Sequence, residues 1–276
     1  ITDALVWGAK QNGETVDAAI TNGGGIRATI KAGDITKKDV NTVLPFGNTL
    51  SIVKVTGTEL LEALEASTYC TPDALGGFPQ VSGIQFTIDT GKSYDAGALY
   101  PDSTYHAPKS INRVTIQSVG GKAFDEKAVY TIATNDFMAA GGDTYYAFKA
   151  ASANYNIGVP MDEVLMDYIK TELKGVVGET YVKPQGRITL AKTEAPAEEP
   201  AKPAEPAQPS TPAQPAKPAD GDGGETSYTV VSGDCLWNIA YRHYGSGAKF
   251  TMIAEANGLK DPYLINIGQV LVIPAA

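Results

Sequence analysis

The sequence predicts an α/β (α+β) protein. A large domain over residues 1–190 carries a mixed sheet with packed helices, an extended segment covers 191–226, and a small βααβ domain covers 227–276. Three observations predict this. Strand-like and helix-like stretches are intermixed up to residue 190 without strict βαβ alternation, which argues a mixed sheet rather than an all-parallel one. Composition changes abruptly at about residue 191, where proline begins to recur. From residue 227 globular character returns, in the order strand, helix, helix, strand.

In the large domain, residues 1–11 read as an amphipathic helix stopped by Asn12-Gly13. Asp17 to Thr21 is a short apolar run that suits a buried strand and leads into Asn22-Gly-Gly-Gly-Ile-Arg27. A short helix starts at Thr36 or Lys37 and ends before Pro45, because the residue ahead of a proline is pushed out of helical geometry. Leu50–Thr56 reads as a strand, and Thr58 as the N-cap of a helix over Glu59–Ser67. Residues 69–80 read as a loop. Ile84–Ile88, Val114–Val119, Tyr130–Ala133 and Arg187–Leu190 read as strands, and Met161–Leu173 as a helix with Val164, Leu165, Tyr168 and Ile169 at helical spacing.

Beyond residue 191, prolines fall at 196, 200, 203, 206, 209, 212, 215 and 218. A spacing of three matches the turn of polyproline II, so the segment is expected to be an extended spacer. At about 3.1 Å per residue, roughly 30 residues would reach on the order of 90 Å. The same spacing also suits a ligand for a groove-binding module. In the small domain Tyr228–Val231 reads as a strand, Asp234 caps a helix running to about Tyr244, a second helix covers about Lys249–Asn257, and Val270–Pro274 closes the fold.

Of the 276 residues 43% are hydrophobic, enough for a real core. The net charge is −9 and there is no basic run, which argues against nucleic acid as a partner. Cys70 and Cys235 lack CxxC partners and are far apart, so neither a metal knuckle nor a redox motif is expected. There is no apolar run of about 18 residues, hence no expected membrane span. The chain opens on Ile1-Thr-Asp-Ala-Leu-Val-Trp7, already helical in pattern, and is expected to be a piece of a longer protein.

Tyr-Thr-Val-Val-Ser-Gly-Asp at 228–234, Leu236-Trp-Asn-Ile-Ala240, Asn257-Gly-Leu259 and Ile267-Gly-Gln-Val-Leu-Val-Ile-Pro274 together resemble a LysM domain. The resemblance implies peptidoglycan N-acetylglucosamine as the partner. It places the glycan groove between Gly233, Asp234, Cys235 and Leu236 on one side and Pro262, Tyr263, Leu264 and Ile265 on the other. Cys235 stands where such domains commonly carry Ser or Thr, and a thiol is the weaker donor. The alternative is that these residues only cap and pack the fold.

Three stretches of the large domain resemble the C-terminal substrate-binding domain of the 5′-nucleotidase family. They are Asn22–Arg27, Leu44-Pro-Phe-Gly-Asn48, and Thr134-Asn-Asp-Phe-Met-Ala-Ala-Gly-Gly-Asp143. The resemblance implies a nucleotide or nucleoside ligand. Arg27 would hold phosphate, Asn22 would reach the base or nucleoside, Phe46 and Phe137 would sandwich the base, and Asp143 would accept from ribose hydroxyls. Side-chain chemistry agrees: an aromatic ring stacks on a base, a guanidinium forks onto phosphate, and a carboxylate accepts from a vicinal diol. The plainer alternatives are a simple glycine turn, Phe46 as core after Pro45, and Asp143 as a helix cap. Tyr145 and Tyr146 are assigned to packing.

The family's catalytic half is an N-terminal domain with two divalent metal ions, held by Asp, His and Asn. This chain has only His106 and His243, so the two metals are expected outside it and no catalytic residue is assigned within it. The resemblances imply the nucleotide-recognition half of an extracytoplasmic 5′-nucleotidase-like phosphohydrolase, cell-wall associated and extracellular. With no LPxTG-like sorting motif, attachment would be noncovalent. The alternatives are a 2′,3′-cyclic nucleotide phosphodiesterase or nucleotide-sugar hydrolase of the same family, or a non-catalytic wall-binding surface protein.

Overall fold

The apolar runs of the large domain become the inner strands of two sheets. The structure is a computed structural model and describes residues 1–101, 103–193, 226–230, 236–244, 249–259, 265 and 268–275. The chain divides into two units, Ile1–Lys192 and Thr193–Ala276. The proline-rich segment from 194 to 225, including its expected polyproline geometry, lies outside the described residues.

In the first unit, β1 (Ala18–Asn22), β2 (Thr49–Thr56), β3 (Pro79–Ser82), β9 (Val129–Asn135) and β10 (Ala153–Pro160) form a five-stranded sheet in the order β10-β2-β9-β1-β3. Only β1 and β9 run parallel, so the sheet is mixed. A second sheet has the order β11-β4-β7-β8, from β4 (Ile84–Asp89), β7 (Val114–Val119), β8 (Lys122–Ala123) and β11 (Ile188–Ala191). A hairpin of β5 (Ala96–Leu99) and β6 (His106–Pro108) stands apart from both.

Every residue of β1 is buried, as expected of a strand covered on both faces. Ala18 and Ile20 enter one core with Val53, Val55, Ile84, Phe86 and Ile132, under α3 (Gly57–Ala66). Ala19 enters the other, with Leu50, Ile52 and Ala133. There α1 (Thr2–Gln11), α2 (Lys37–Val43) and α6 (Met161–Thr171) cover the sheet. The first helix is tied to the last strand region by Asp3. Its carboxylate accepts two 2.7 Å bonds from Arg187, one of 2.7 Å from Tyr181, and one from Ser82.

Thr58 is not the N-cap of α3. Thr56 is: its hydroxyl accepts from the Glu59 N–H at 3.2 Å, and the Glu59 carboxylate accepts from the Thr56 N–H at 2.7 Å. This is a capping box, which satisfies two amide groups at once. The helix therefore starts at Gly57, where a Cβ would meet the Asp125 carbonyl oxygen at 2.5 Å. The stretch expected to be loop over 69–80 ends in β3, which starts at Pro79.

In the second unit β12 (Thr226–Thr229) pairs antiparallel with β13 (Val270–Ile273). With α7 (Leu236–Tyr244) and α8 (Phe250–Ala256) the order is β-α-α-β, around a core of Val230, Leu236, Ile239, Ile253, Leu271 and Ile273. The Asn257 side chain clamps α8 to β13, donating to the Val272 carbonyl at 2.7 Å and accepting from the Val272 N–H at 2.8 Å.

Candidate functional site

Because β1 and β9 are parallel neighbours, their last residues, Asn22 and Asn135, reach the same end of the sheet. Carboxyl ends of parallel strands are where crevices open in such sheets. Both chains turn sharply there, β1 into a 3₁₀ turn over Gly23–Gly25 and β9 into α4 (Asp136–Ala139).

The glycine run is a turn, but also a point of close approach. A Cβ on Gly24 would lie 3.0 Å from the Gly76 Cα and carbonyl oxygen, and the Gly24 N–H donates to that oxygen at 2.7 Å. The Gly23 N–H donates to the Phe78 carbonyl at 2.8 Å. Gly76-Gly77-Phe78 is thereby drawn against the run, and Gly77 packs beside Asp143. Sequence reasoning left this loop out of the site; its paired glycines were the available signal.

Asn22 Nδ2 donates to Asp143 Oδ2 at 3.0 Å, across 121 positions of sequence. Asp143 adopts φ 53°, a left-handed conformation that short polar side chains tolerate. It does not cap the following helix α5 (Tyr146–Lys149), which has Tyr145 at its N-cap and no side-chain cap bond. Burial pushes the Asp143 carboxyl above its usual range, and the Asn22 hydrogen bond pulls it partly back. Tyr145 is fully buried and donates to the Gly77 carbonyl at 2.9 Å, so it packs as expected, and Tyr146 stacks on Tyr100.

Phe46 is not core: it is 61% exposed. It lines a pocket with Thr21, Gly25, Asn48 and Asn135. The Arg27 guanidinium carbon lies 6.0 Å from its ring centroid, and Arg27 Nη1 donates to the Gly24 carbonyl at 3.2 Å. Phe137 is 43% exposed, with its ring tip against Gly142. The arrangement thus gathers two exposed rings, a guanidinium and a half-buried carboxylate–carboxamide pair at the carboxyl ends of β1 and β9. That set can stack on a planar ring, accept from hydroxyls and pair with an anion.

Among the described residues no group of three or more His, Cys, Asp or Glu is placed to hold a metal ion. His106 pairs its Nδ1 with the Gly97 carbonyl at 2.8 Å within the β5–β6 hairpin. In the small unit Leu236 is buried and Ile265 packs against the core. Gly233, Asp234, Cys235, Pro262, Tyr263 and Leu264 lie outside the described residues. No helix among the described residues is long and apolar enough to cross a membrane.

The family model for the 5′-nucleotidase, C-terminal domain matches residues 1–150, and that for the LysM domain matches residues 228–274. The chain is 36% identical over 190 residues to the trifunctional nucleotide phosphoesterase protein YfkN of Bacillus subtilis, a match covering 68% of this chain and 12% of that protein. It is 34% identical over 178 residues to the cell wall protein Lmo0130 of Listeria monocytogenes, covering 62% of this chain and 20% of that one. The 5′-nucleotidase precursor from Thermus thermophilus shares the fold with a TM-score of 0.56 at 34% identity, over 69% of this chain and 34% of that structure. The chain therefore spans a minor part of each relative's length. With the first of those family models covering more than half of it, the chain belongs to the 5′-nucleotidase C-terminal domain family.

Proposed function

We propose that residues 1–190 bind a nucleotide or nucleoside and serve as the recognition half of an extracytoplasmic 5′-nucleotidase-like phosphohydrolase. The observation that carries this reading is the Asn22–Asp143 hydrogen bond, which joins two of the three motif stretches at the end of the sheet where Phe46 and Phe137 are exposed. Phe46 and Phe137 stack on the base, Asp143 accepts from the ribose hydroxyls, Asn22 reaches the nucleoside, and Arg27 meets the phosphate. Hydrolysis would belong to a separate domain of a longer protein, and the two divalent ions expected there would supply the activation of water. The relatives named for nucleotide phosphoester chemistry support this division.

The LysM domain anchors the protein noncovalently to peptidoglycan, with residues 233–236 and 262–265 as the glycan contacts, which makes it an extracellular, cell-wall protein. The likeness to a cell wall protein of Listeria monocytogenes supports that location. Two measurements test the parts separately. Equilibrium dialysis of the whole chain with adenosine and AMP should give saturable binding of both; no binding at millimolar ligand refutes the pocket. Sedimentation with purified peptidoglycan should retain the chain and lose a version lacking residues 227–276; equal retention refutes the anchor.

A further inference from the structure

We propose that Asn135 is a positioning residue that sets the hydrogen-bonding polarity of the Asn22–Asp143 pair. The proposal rests on the nucleoside reading of that site, but the relay itself is read from backbone and side-chain geometry. Asn135 is 1% exposed and ends β9 as the N-cap of α4. Its side chain accepts from the Met138 backbone N–H at 2.8 Å. A backbone N–H can only donate, so the atom facing it is the Asn135 oxygen, and the amide cannot be turned over without losing the cap.

That fixes everything downstream. The Asn135 amino group points the other way, 3.0 Å from Thr21 Oγ1 and 3.1 Å from Asn22 Oδ1. Asn22 must then present its oxygen to Asn135 and its amino group to Asp143, where it donates at 3.0 Å. One direction of donation runs from a helix N-terminus through two carboxamides to a carboxylate. The Asn22 oxygen is engaged by Asn135, so Asn22 offers a ligand its second N–H. Asp143 is held by one oxygen and keeps acceptor capacity for hydroxyl groups. Were Asn22 to turn over, its oxygen would face the Asp143 carboxylate, acceptor against acceptor. The residue that forbids this is Asn135, which need not touch a ligand through its own side chain to act.

Asn135→Asp tests the relay. Aspartate caps helices as well as asparagine and has nearly the same shape, but its ionised carboxylate has no proton to give Asn22. In the whole chain, adenosine affinity is expected to fall about tenfold or more in Asn135→Asp. In an Asn22→Ala background the same change is expected to matter less than about twofold, because the residue through which it acts is gone. Equal losses in both backgrounds, or no loss in the first, would overturn the proposal. A second readout needs no ligand. One side-chain amide proton of Asn22, followed by NMR, should be hydrogen-bonded to Asp143 and show a through-space contact with residue 143 that is lost in Asn135→Asp, where the amide turns toward the new carboxylate; a contact unchanged by the substitution would overturn the relay. If the unaltered chain binds no adenosine, the nucleoside reading fails and the amide signals still decide the relay.

Discussion

Gly142→Ala should separate ligand binding from folding. The Phe137 ring tip occupies the space where a side chain at 142 would go. A Cβ there would lie 2.5 Å from Phe137 Cζ and 2.6 Å from both Cε atoms, far inside contact distance. The backbone at 142 lies outside the left-handed region, so alanine can adopt it. What must give is the ring, and because Phe137 is 43% exposed, moving it sacrifices little core burial. Stability should therefore change by no more than about 1 kcal/mol. If Phe137 is one face of the base clamp, displacing it removes one stacking surface, worth about 1–3 kcal/mol per base. That corresponds to an affinity loss of about 5- to 150-fold. Calorimetric titration with adenosine, alongside a thermal melt, reads both quantities. Unchanged affinity, or a melting point lowered as far as by a core deletion, would show that the ring serves the fold rather than the ligand.

Three further outcomes follow from the same geometry. Asp143→Asn keeps an acceptor for Asn22 and tolerates the φ of 53°, so it should melt no lower than the parent at neutral pH while binding adenosine more weakly. Because burial raises the folded-state pKa of Asp143 above its ordinary 3.8, the parent loses stability as pH climbs through that higher value, and the variant's advantage should widen over the same interval. Thr56→Ala should cost about 0.5–2 kcal/mol in chemical denaturation, whereas Thr58→Ala should be close to neutral, since only Thr56 accepts from the Glu59 N–H. Arg187→Met should destabilise the first unit by about 1–3 kcal/mol by removing the Nη2 group that donates to both oxygens of the partly exposed Asp3 carboxylate; a loss under about 0.5 kcal/mol would place that pair among weak surface contacts.

The inner strands of the five-stranded sheet were legible because both faces of each are covered, which leaves runs such as Ala18-Ala-Ile-Thr and Leu50-Ser-Ile-Val. Of this sheet's strands, the two that escaped sequence reading, β3 and β10, are its two edges. β3 opens on a proline, which an edge tolerates. β10 is Ala-Asn-Tyr-Asn-Ile-Gly-Val-Pro, half-exposed and broken by a register shift between Asn156 and Pro160, so it offers no apolar run. The cap of α3 was readable in principle: Thr56-Gly-Thr-Glu59 is a capping-box pattern, obscured by a glycine in its second position and a rival threonine in its third.

At the site, the residues named from sequence in the large domain lie at or beyond the carboxyl ends of β1 and β9 and on the turn before β2. Their linkage was not legible. No local pattern reports that Asn22 donates to Asp143, because the pair is set by the parallel register of β1 and β9 and by the Gly24–Gly76 approach. Asn135 stood within a quoted motif without a role. A polar residue between a strand and a helix signals a cap, but nothing in the sequence says what the other end of its amide touches.

If the two exposed rings and the half-buried Asn22–Asp143 pair belong to one nucleoside pocket, a single ligand must perturb all of them at once. The direct test is an NMR titration of the whole chain with adenosine, following Asn22, Phe46, Phe137 and Asp143, in the parent and in Phe137→Ala. All four residues should shift together along one saturation curve, and the curve should move to markedly higher concentration in Phe137→Ala. No shifts at millimolar adenosine, or a curve unaltered by Phe137→Ala, would contradict a shared pocket.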